Sequence, residues 1–182
     1  MGFKIEKGVL VEYIEEPGVT EVVVPDGITR IGEFAFCKCE NLTSVTIPDG
    51  VTEIGAKAFA GCCGLVSIEI PNSVKAIGGG AFCGCQSLQF VNIPDGINRI
   101  GDYTFGMCFK LTPPILPNTL AEIGECAFRD CVSMSVLSIP QSVVKIASLA
   151  FRGCNYLTIQ APRGSYAAAY AKKHKRLSYQ EI

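Results

Sequence analysis

The sequence predicts an α/β repeat fold: a solenoid of 23-residue coils carrying a short-stranded parallel β-sheet, closed by a β-hairpin at its start and by a helix at its end. Three observations predict it. Cys39, Cys62, Cys85, Cys108, Cys131 and Cys154 stand 23 residues apart without a slip. Phe36, Phe59, Phe82, Phe105, Phe128 and Phe151 keep the same step, as do Pro25, Pro48, Pro71, Pro94, Pro117 and Pro140. A fixed period between about 20 and 50 residues marks copies that bury their apolar faces only against their neighbours.

Residues 1–17 form the expected N-terminal cap. Phe3 to Tyr13 alternates apolar and polar residues about Lys7-Gly8, the pattern of a hairpin, and covers the strand edge that the first coil would leave open. The array itself spans 18–162, six copies and a partial terminal coil in which Ile159-Gln160-Ala161-Pro162 repeats the strand and proline with one residue deleted.

One copy, Leu42 to Gly64, explains the rest. Val45 and Ile47 alternate with Ser44 and Thr46, as in a half-buried strand. Pro48 cannot donate to a ladder and ends the strand, and Asp49-Gly50 supplies the corner. Val51 and Ile54 return to the interior. Gly55, repeated as Gly32, Gly78, Gly101 and Gly124, is expected to permit a tight bend through positive φ, with Ala147 the exception. Seven strands about 4.8 Å apart would make a one-sided sheet roughly 30 Å long.

Residues 163–182 form the C-terminal cap and tail. Ser165 is placed to cap a helix running to Lys173, and Lys172, Lys173, Lys175 and Arg176 complement the negative end of its dipole. His174 is expected to be solvated there.

The string Pro-x-x-Val-x-x-Ile-Gly-x-x-Ala-Phe-x-x-Cys-x-x-Leu-x-x-Val-x-Ile, read from 48 to 70 and with substitutions in every copy, resembles the BspA-like leucine-rich repeat over about Gly18 to Tyr170. The resemblance implies a right-handed leucine-rich-repeat solenoid with the sheet on its concave face. It also implies kinship with bacterial surface proteins that bind host or matrix proteins, so a surface adhesin module is an alternative function.

Composition narrows the function classes. A net charge of -1 leaves no basic surface for phosphate backbones, so nucleic acid is not an expected partner. No segment has the length and apolarity of a membrane span, and the start lacks the features of a secretory signal. A cytoplasmic location is therefore the expectation, with the cell surface or secretion as the alternative. Ten cysteines in a well-cored chain fit free thiols better than a disulfide framework.

No enzyme chemistry is expected. A catalytic thiol needs an electropositive niche and a base, which six equivalent coils would not all require, so the cysteines read as small hydrophobes stacked beside the phenylalanines. Cys37, Cys63, Cys83 and Cys126 lie off that ladder and are expected nearer the surface, which leaves a redox-sensitive thiol protein as a third reading. Adjacent cysteines do not have zinc-site spacing, so no metal or other cofactor is expected. Gly78-Gly79-Gly80 lacks the lysine of a phosphate loop and reads as a corner.

Binding information then falls to the outward strand positions. One row runs Glu21, Ser44, Ser67, Phe90, Pro113, Val136, and the other Val23, Thr46, Glu69, Asn92, Ile115, Ser138. Phe90, Pro113, Ile115 and Val136 are expected to form an apolar patch flanked by Glu69 and Asn92, suited to an unidentified protein or peptide, or to a second copy in a homodimer. Pro113 and Pro114 cannot donate to the ladder and should break it beside that patch.

Overall fold

The computed structural model describes residues 2–182. Each copy makes one coil, and the coils stack into a solenoid with two parallel sheets. The first sheet runs through Glu21–Val23, Ser44–Thr46, Ser67–Glu69 and Phe90–Val91, then resumes as Val136–Ser138, Thr158–Ala161 and Ser178–Glu181. Its register is the repeat itself: Val22 lies opposite Val45, Val45 opposite Ile68, and Ile68 opposite Val91.

The second sheet is additional to the expected architecture. It consists of Arg30–Ile31, Glu53–Ile54 and Ala76–Ile77, and then Arg99–Ile100, Glu122–Ile123 and Lys145–Ile146. Two residues per coil are too few for alternation to reveal a strand. Apart from Ala76 their outward positions carry charges of alternating sign, so Arg30 meets Glu53 at 3.5 Å, and Glu122 meets Arg99 at 3.7 Å and Lys145 at 3.4 Å. Exposed pairs of this kind contribute little each.

The corners form as the prolines require. The Val51 N–H donates to the Pro48 carbonyl at 3.1 Å, and Val74 and Leu120 repeat the bond to Pro71 and Pro117 at 3.0 Å. On the third side of the coil, alternate amides reach the next coil: Phe36 donates to Ala58 at 2.7 Å and Lys38 to Ala60 at 2.8 Å. Residues there adopt the left-handed region in pairs, Phe34 and Lys38, Lys57 and Gly61, Gly80 and Gly84, Tyr103 and Met107, Cys126 and Asp130. For a non-glycine residue that conformation is unfavourable by about 1–2 kcal/mol, which the coil-to-coil hydrogen bonds offset.

The glycine after the second strand has a different role from the expected one. Gly32, Gly55, Gly78, Gly101 and Gly124 do not have positive φ. At Gly32, Gly55, Gly78 and Gly124 the coil before comes too close for a side chain: a Cβ on Gly55 would sit 2.7 Å from the Glu33 nitrogen, and one on Gly78 would sit 2.4 Å from the Ala56 nitrogen, whereas at Gly101, which faces Gly79, the nearest atom is 3.4 Å away. At Ala147, where the methyl is present, the pattern gives way. Leu149 leaves the left-handed region that its equivalents occupy, and the Cys126 N–H makes no bond to the coil above among the described residues.

Both ends are closed. Gly2–Glu6 and Val9–Ile14 form the antiparallel hairpin, whose Val9 and Leu10 pair with Arg30 and Ile31, so the cap extends the second sheet. At the other end Ser165 accepts from the Ala168 N–H at 3.1 Å and starts the helix Tyr166–Lys173. The tail then returns as Ser178–Glu181, a strand parallel to Thr158–Ala161 that no alternation in the sequence announces.

Candidate functional site

The interior is built from two columns. The rings of Phe36, Phe59, Phe82, Phe105, Phe128 and Phe151 stack with centroids 4.9 to 5.6 Å apart, all of them buried. Tyr13 continues the column below and Tyr170 above. Beside it, Cys39, Cys62, Cys85, Cys108, Cys131 and Cys154 are buried free thiols.

These thiols do more than fill space. Cys62 donates to the Phe36 carbonyl at 3.0 Å, Cys85 to Phe59, Cys108 to Phe82 and Cys131 to Phe105 at 3.1 Å, and Cys154 to Phe128 at 3.0 Å. Each therefore adds a second hydrogen bond to a carbonyl of the preceding coil that already accepts from a backbone N–H, a role that small hydrophobe does not describe. Burial pushes Cys39 and Cys154 up to about 12 and raises Cys108 and Cys131 well above the ordinary thiol range. The ladder stays protonated at neutral pH, so it holds no nucleophile.

Off the ladder, Cys37, Cys63 and Cys83 are half-buried, whereas Cys126 is 2% exposed. This corrects the expectation for Cys126. Its backbone is left-handed like that of its equivalents Phe34 and Tyr103, which are exposed, so the difference lies in the short thiol side chain, which does not extend beyond the coil as those larger rings do. Burial raises Cys63 and Cys83 as well. His174 is half-buried, not solvated, because its ring stacks on Tyr170 at 4.0 Å and its Nδ1 bonds the Tyr170 carbonyl at 2.8 Å. Among the described residues no three His, Cys, Asp or Glu side chains are grouped to hold a metal ion.

The two outward rows lie on the first sheet. Every member from Glu21 to Ser138 is exposed or half-buried, while Val45, Ile68, Val91 and Pro114 are turned inward. The ladder breaks where two prolines occur: 111–117 has no regular structure, and the sheet is interrupted between Phe90–Val91 and Val136–Ser138. Thr112 still donates to Gln89 at 3.0 Å, but the Ile115 and Leu116 N–H groups have no hydrogen-bond partner among the described residues.

At the break Ile115 is 88% exposed, Phe90 61% and Val136 41%, and Pro113 is half-buried. Phe90, Pro113, Pro114 and Ile115 line a depression of about 520 Å³ that extends to Asn92 and Pro117. Asn92 differs from an unengaged polar neighbour. Its side-chain oxygen accepts from the Ile70 N–H and its amide donates to the Ile70 carbonyl, both at 2.7 Å, so it replaces the main-chain bonds at the end of that strand.

A coil of fixed length, with its proline corner, buried Phe and Cys columns and parallel strands in register, is the unit that a model of the BspA type leucine-rich repeat region matches in six copies, over residues 13–133 and 98–171. The chain belongs to that family. Among solved structures, this leucine-rich repeat protein is similar to the leucine-rich repeat protein of T. pallidum, with 34% identity, a TM-score of 0.78, and coverage of 83% of this chain and 72% of that one. It is also similar to a leucine-rich repeat protein from Eubacterium ventriosum, with 29% identity and a TM-score of 0.66, covering 81% of this chain and 46% of that one. No curated protein matches. The leucine-rich repeat fold is consistent with a protein-interaction scaffold, and no helix among the described residues is long and apolar enough to cross a membrane.

Proposed function

We propose that this leucine-rich repeat protein is a non-enzymatic scaffold that binds a polypeptide on the exposed face of its first sheet, at Phe90, Pro113, Ile115 and Val136. The reading rests on one observation above all. The exposed apolar residues coincide with the gap in the strand ladder, so apolar side chains and unpaired main-chain N–H groups stand side by side. An extended peptide satisfies both, by burying side chains in the depression and by hydrogen bonding to the free amides.

The geometry favours a peptide over a small molecule. The depression is shallow and open along the sheet, and its walls carry one carboxylate, Asp95, with no convergent set of polar groups to orient a compact ligand. Glu69 flanks the patch on the next strand and supplies a rim charge that selects for a basic residue in the partner.

A peptide-display selection against the purified protein tests the reading. Selected peptides should lose at least about tenfold in affinity for the double variant Phe90→Asp, Ile115→Asp, whose melting temperature stays near that of the parent because both side chains are exposed. Peptides that bind parent and variant alike would place the binding surface elsewhere.

A further inference from the structure

The hairpin closes only one of the two sheets. It extends the second sheet through Val9 and Leu10, and among the described residues no strand or helix lies along the outer side of Glu21–Val23, where the first sheet begins. The alternation of the main chain decides what is left there. Thr20 accepts from the Thr43 N–H at 2.7 Å and Val24 donates to Thr46 at 3.0 Å, so the groups that face away from the stack are those of Glu21 and Val23. Among the described residues neither N–H has a hydrogen-bond partner.

The far end of the same sheet is open as well. Ser178–Glu181 pairs only with Thr158–Ala161 among the described residues. Ser178 donates to Leu157 at 3.1 Å and Ile182 to Ala161 at 3.3 Å, which turns the main chain of Tyr179 and Glu181 away from the stack. The two edges fit each other. With Tyr179 opposite Val22, the Tyr179 N–H meets the Glu21 carbonyl, the Val23 N–H meets the Tyr179 carbonyl, and the Glu181 N–H meets the Val23 carbonyl. That register also keeps the inward column intact, since Tyr179 follows Ile159 at one end and Val22 starts the column at the other.

The two ends also differ in charge. Residues 2–21 hold five carboxylates against two lysines, whereas residues 163–182 hold five Lys or Arg side chains against one carboxylate. None of Arg163, Lys172, Lys173, Lys175 and Arg176 forms an ion pair among the described residues. Lys175 and Arg176 lead into one edge strand, and Glu15 and Glu16 lead into the other, so a parallel junction brings the two segments together. Beside the first edge opens a depression of about 230 Å³ lined by Phe3, Tyr13, Val19 and Val22 among others, apolar surface that this end leaves uncovered.

We propose that copies of this chain stack head to tail, the Ser178–Glu181 edge of one adding in parallel to the Glu21–Val23 edge of the next. The junction makes the first sheet continuous from copy to copy by strand addition. A second copy is the occupant because the chain carries the complement of each of its own ends: the strand direction, the outward main-chain groups in register, and the opposite charge. The contact is heterologous, so one junction leaves an open edge of each kind and association runs on past the dimer. Phe90, Pro113, Ile115 and Val136 lie between the two edges, so stacking leaves the peptide face clear.

Two end-blocked variants separate the outcomes in sedimentation equilibrium. Val23→Pro removes the outward N–H at one edge and Glu181→Pro removes it at the other. Both residues are exposed and neither N–H is bonded within the fold, so both variants should keep the parent's melting temperature. The parent should gain mass with concentration, and less so as added salt screens its charges. Each variant alone should stay near the 19.5 kDa of one chain, while an equimolar mixture, which offers one open edge of each kind, should reach twice that mass and no more. Glu21→Lys leaves the backbone intact and sets like charges together, so it is a second block of the first edge and should give the same result when mixed with Glu181→Pro. A parent that stays monomeric, association that persists in each variant alone or ignores salt, or a mixture that does not associate overturns the proposal. Peptide binding at Phe90 and Ile115 is read separately and does not depend on the outcome.

Discussion

The Cys85 thiol donates to the Phe59 carbonyl at 3.1 Å, one coil back in the stack. That bond joins the two interior columns. The same contact recurs from Cys62 to Cys154, so every Phe-to-Cys step along the core is both an apolar contact and a hydrogen bond. Replacing Cys85 by Ala removes the donor and leaves a small void. The loss should be about 1–3 kcal/mol, read as a lower urea midpoint with an unchanged slope.

Native thiol labelling should divide the cysteines into two groups. Cys37, Cys63 and Cys83, half-buried at the surface, should react before any ladder cysteine, and Cys126 should label with the buried set. Peptide mass mapping after brief alkylation at pH 8 reads the order. Early modification of Cys85 or Cys108 would be incompatible with the packed column.

Stability should fall in alkali. The ladder thiols hold their protons in the fold, with Cys39 and Cys154 raised to about 12, whereas unfolded thiols ionise near 8.5. Above about pH 8.5 the unfolded chain binds fewer protons than the folded one, so unfolding becomes progressively easier up to about pH 12. The stabilisation is fully present below that window. Urea midpoints between pH 7 and pH 11 should decline, and a Cys39→Ala, Cys154→Ala variant should decline less steeply.

Two substitutions distinguish close approach from backbone freedom. Gly78→Ala places a methyl against the Ala56 backbone and should destabilise by about 1–3 kcal/mol. Lys38→Gly relieves a left-handed lysine at an exposed site and should be stabilising by up to about 1 kcal/mol after the entropy of the added glycine is subtracted. Thermal melts of both variants check the pair.

Much of this molecule could be read from its period. The Phe and Cys columns, the proline corners, the hairpin, the Ser165 cap and the ladder break at Pro113-Pro114 follow from residue types that recur at one spacing, and each is in place. The second sheet was not legible, because Arg30–Ile31 and its equivalents carry two residues per coil and no alternation. The left-handed pairs were hidden for a different reason. They fall on Phe34, Lys57 and Tyr103 as readily as on Gly80, so side-chain identity does not mark them. The thiol donors escaped notice because the acceptor, a carbonyl 26 residues earlier, appears only when the coils stack. The outward rows were legible as positions, whereas the engagement of Asn92 with Ile70 required the strand ends to be seen.

The binding face is tested most directly by site-specific photo-crosslinking with a selected peptide, placing the crosslinker at Ile115 on the first sheet or at Val144, which is 63% exposed outside that sheet. The account predicts a peptide adduct from position 115, lost when Phe90 is changed to Asp, and none from position 144. Equal adducts from both positions, or an adduct from 115 that survives Phe90→Asp, would contradict it.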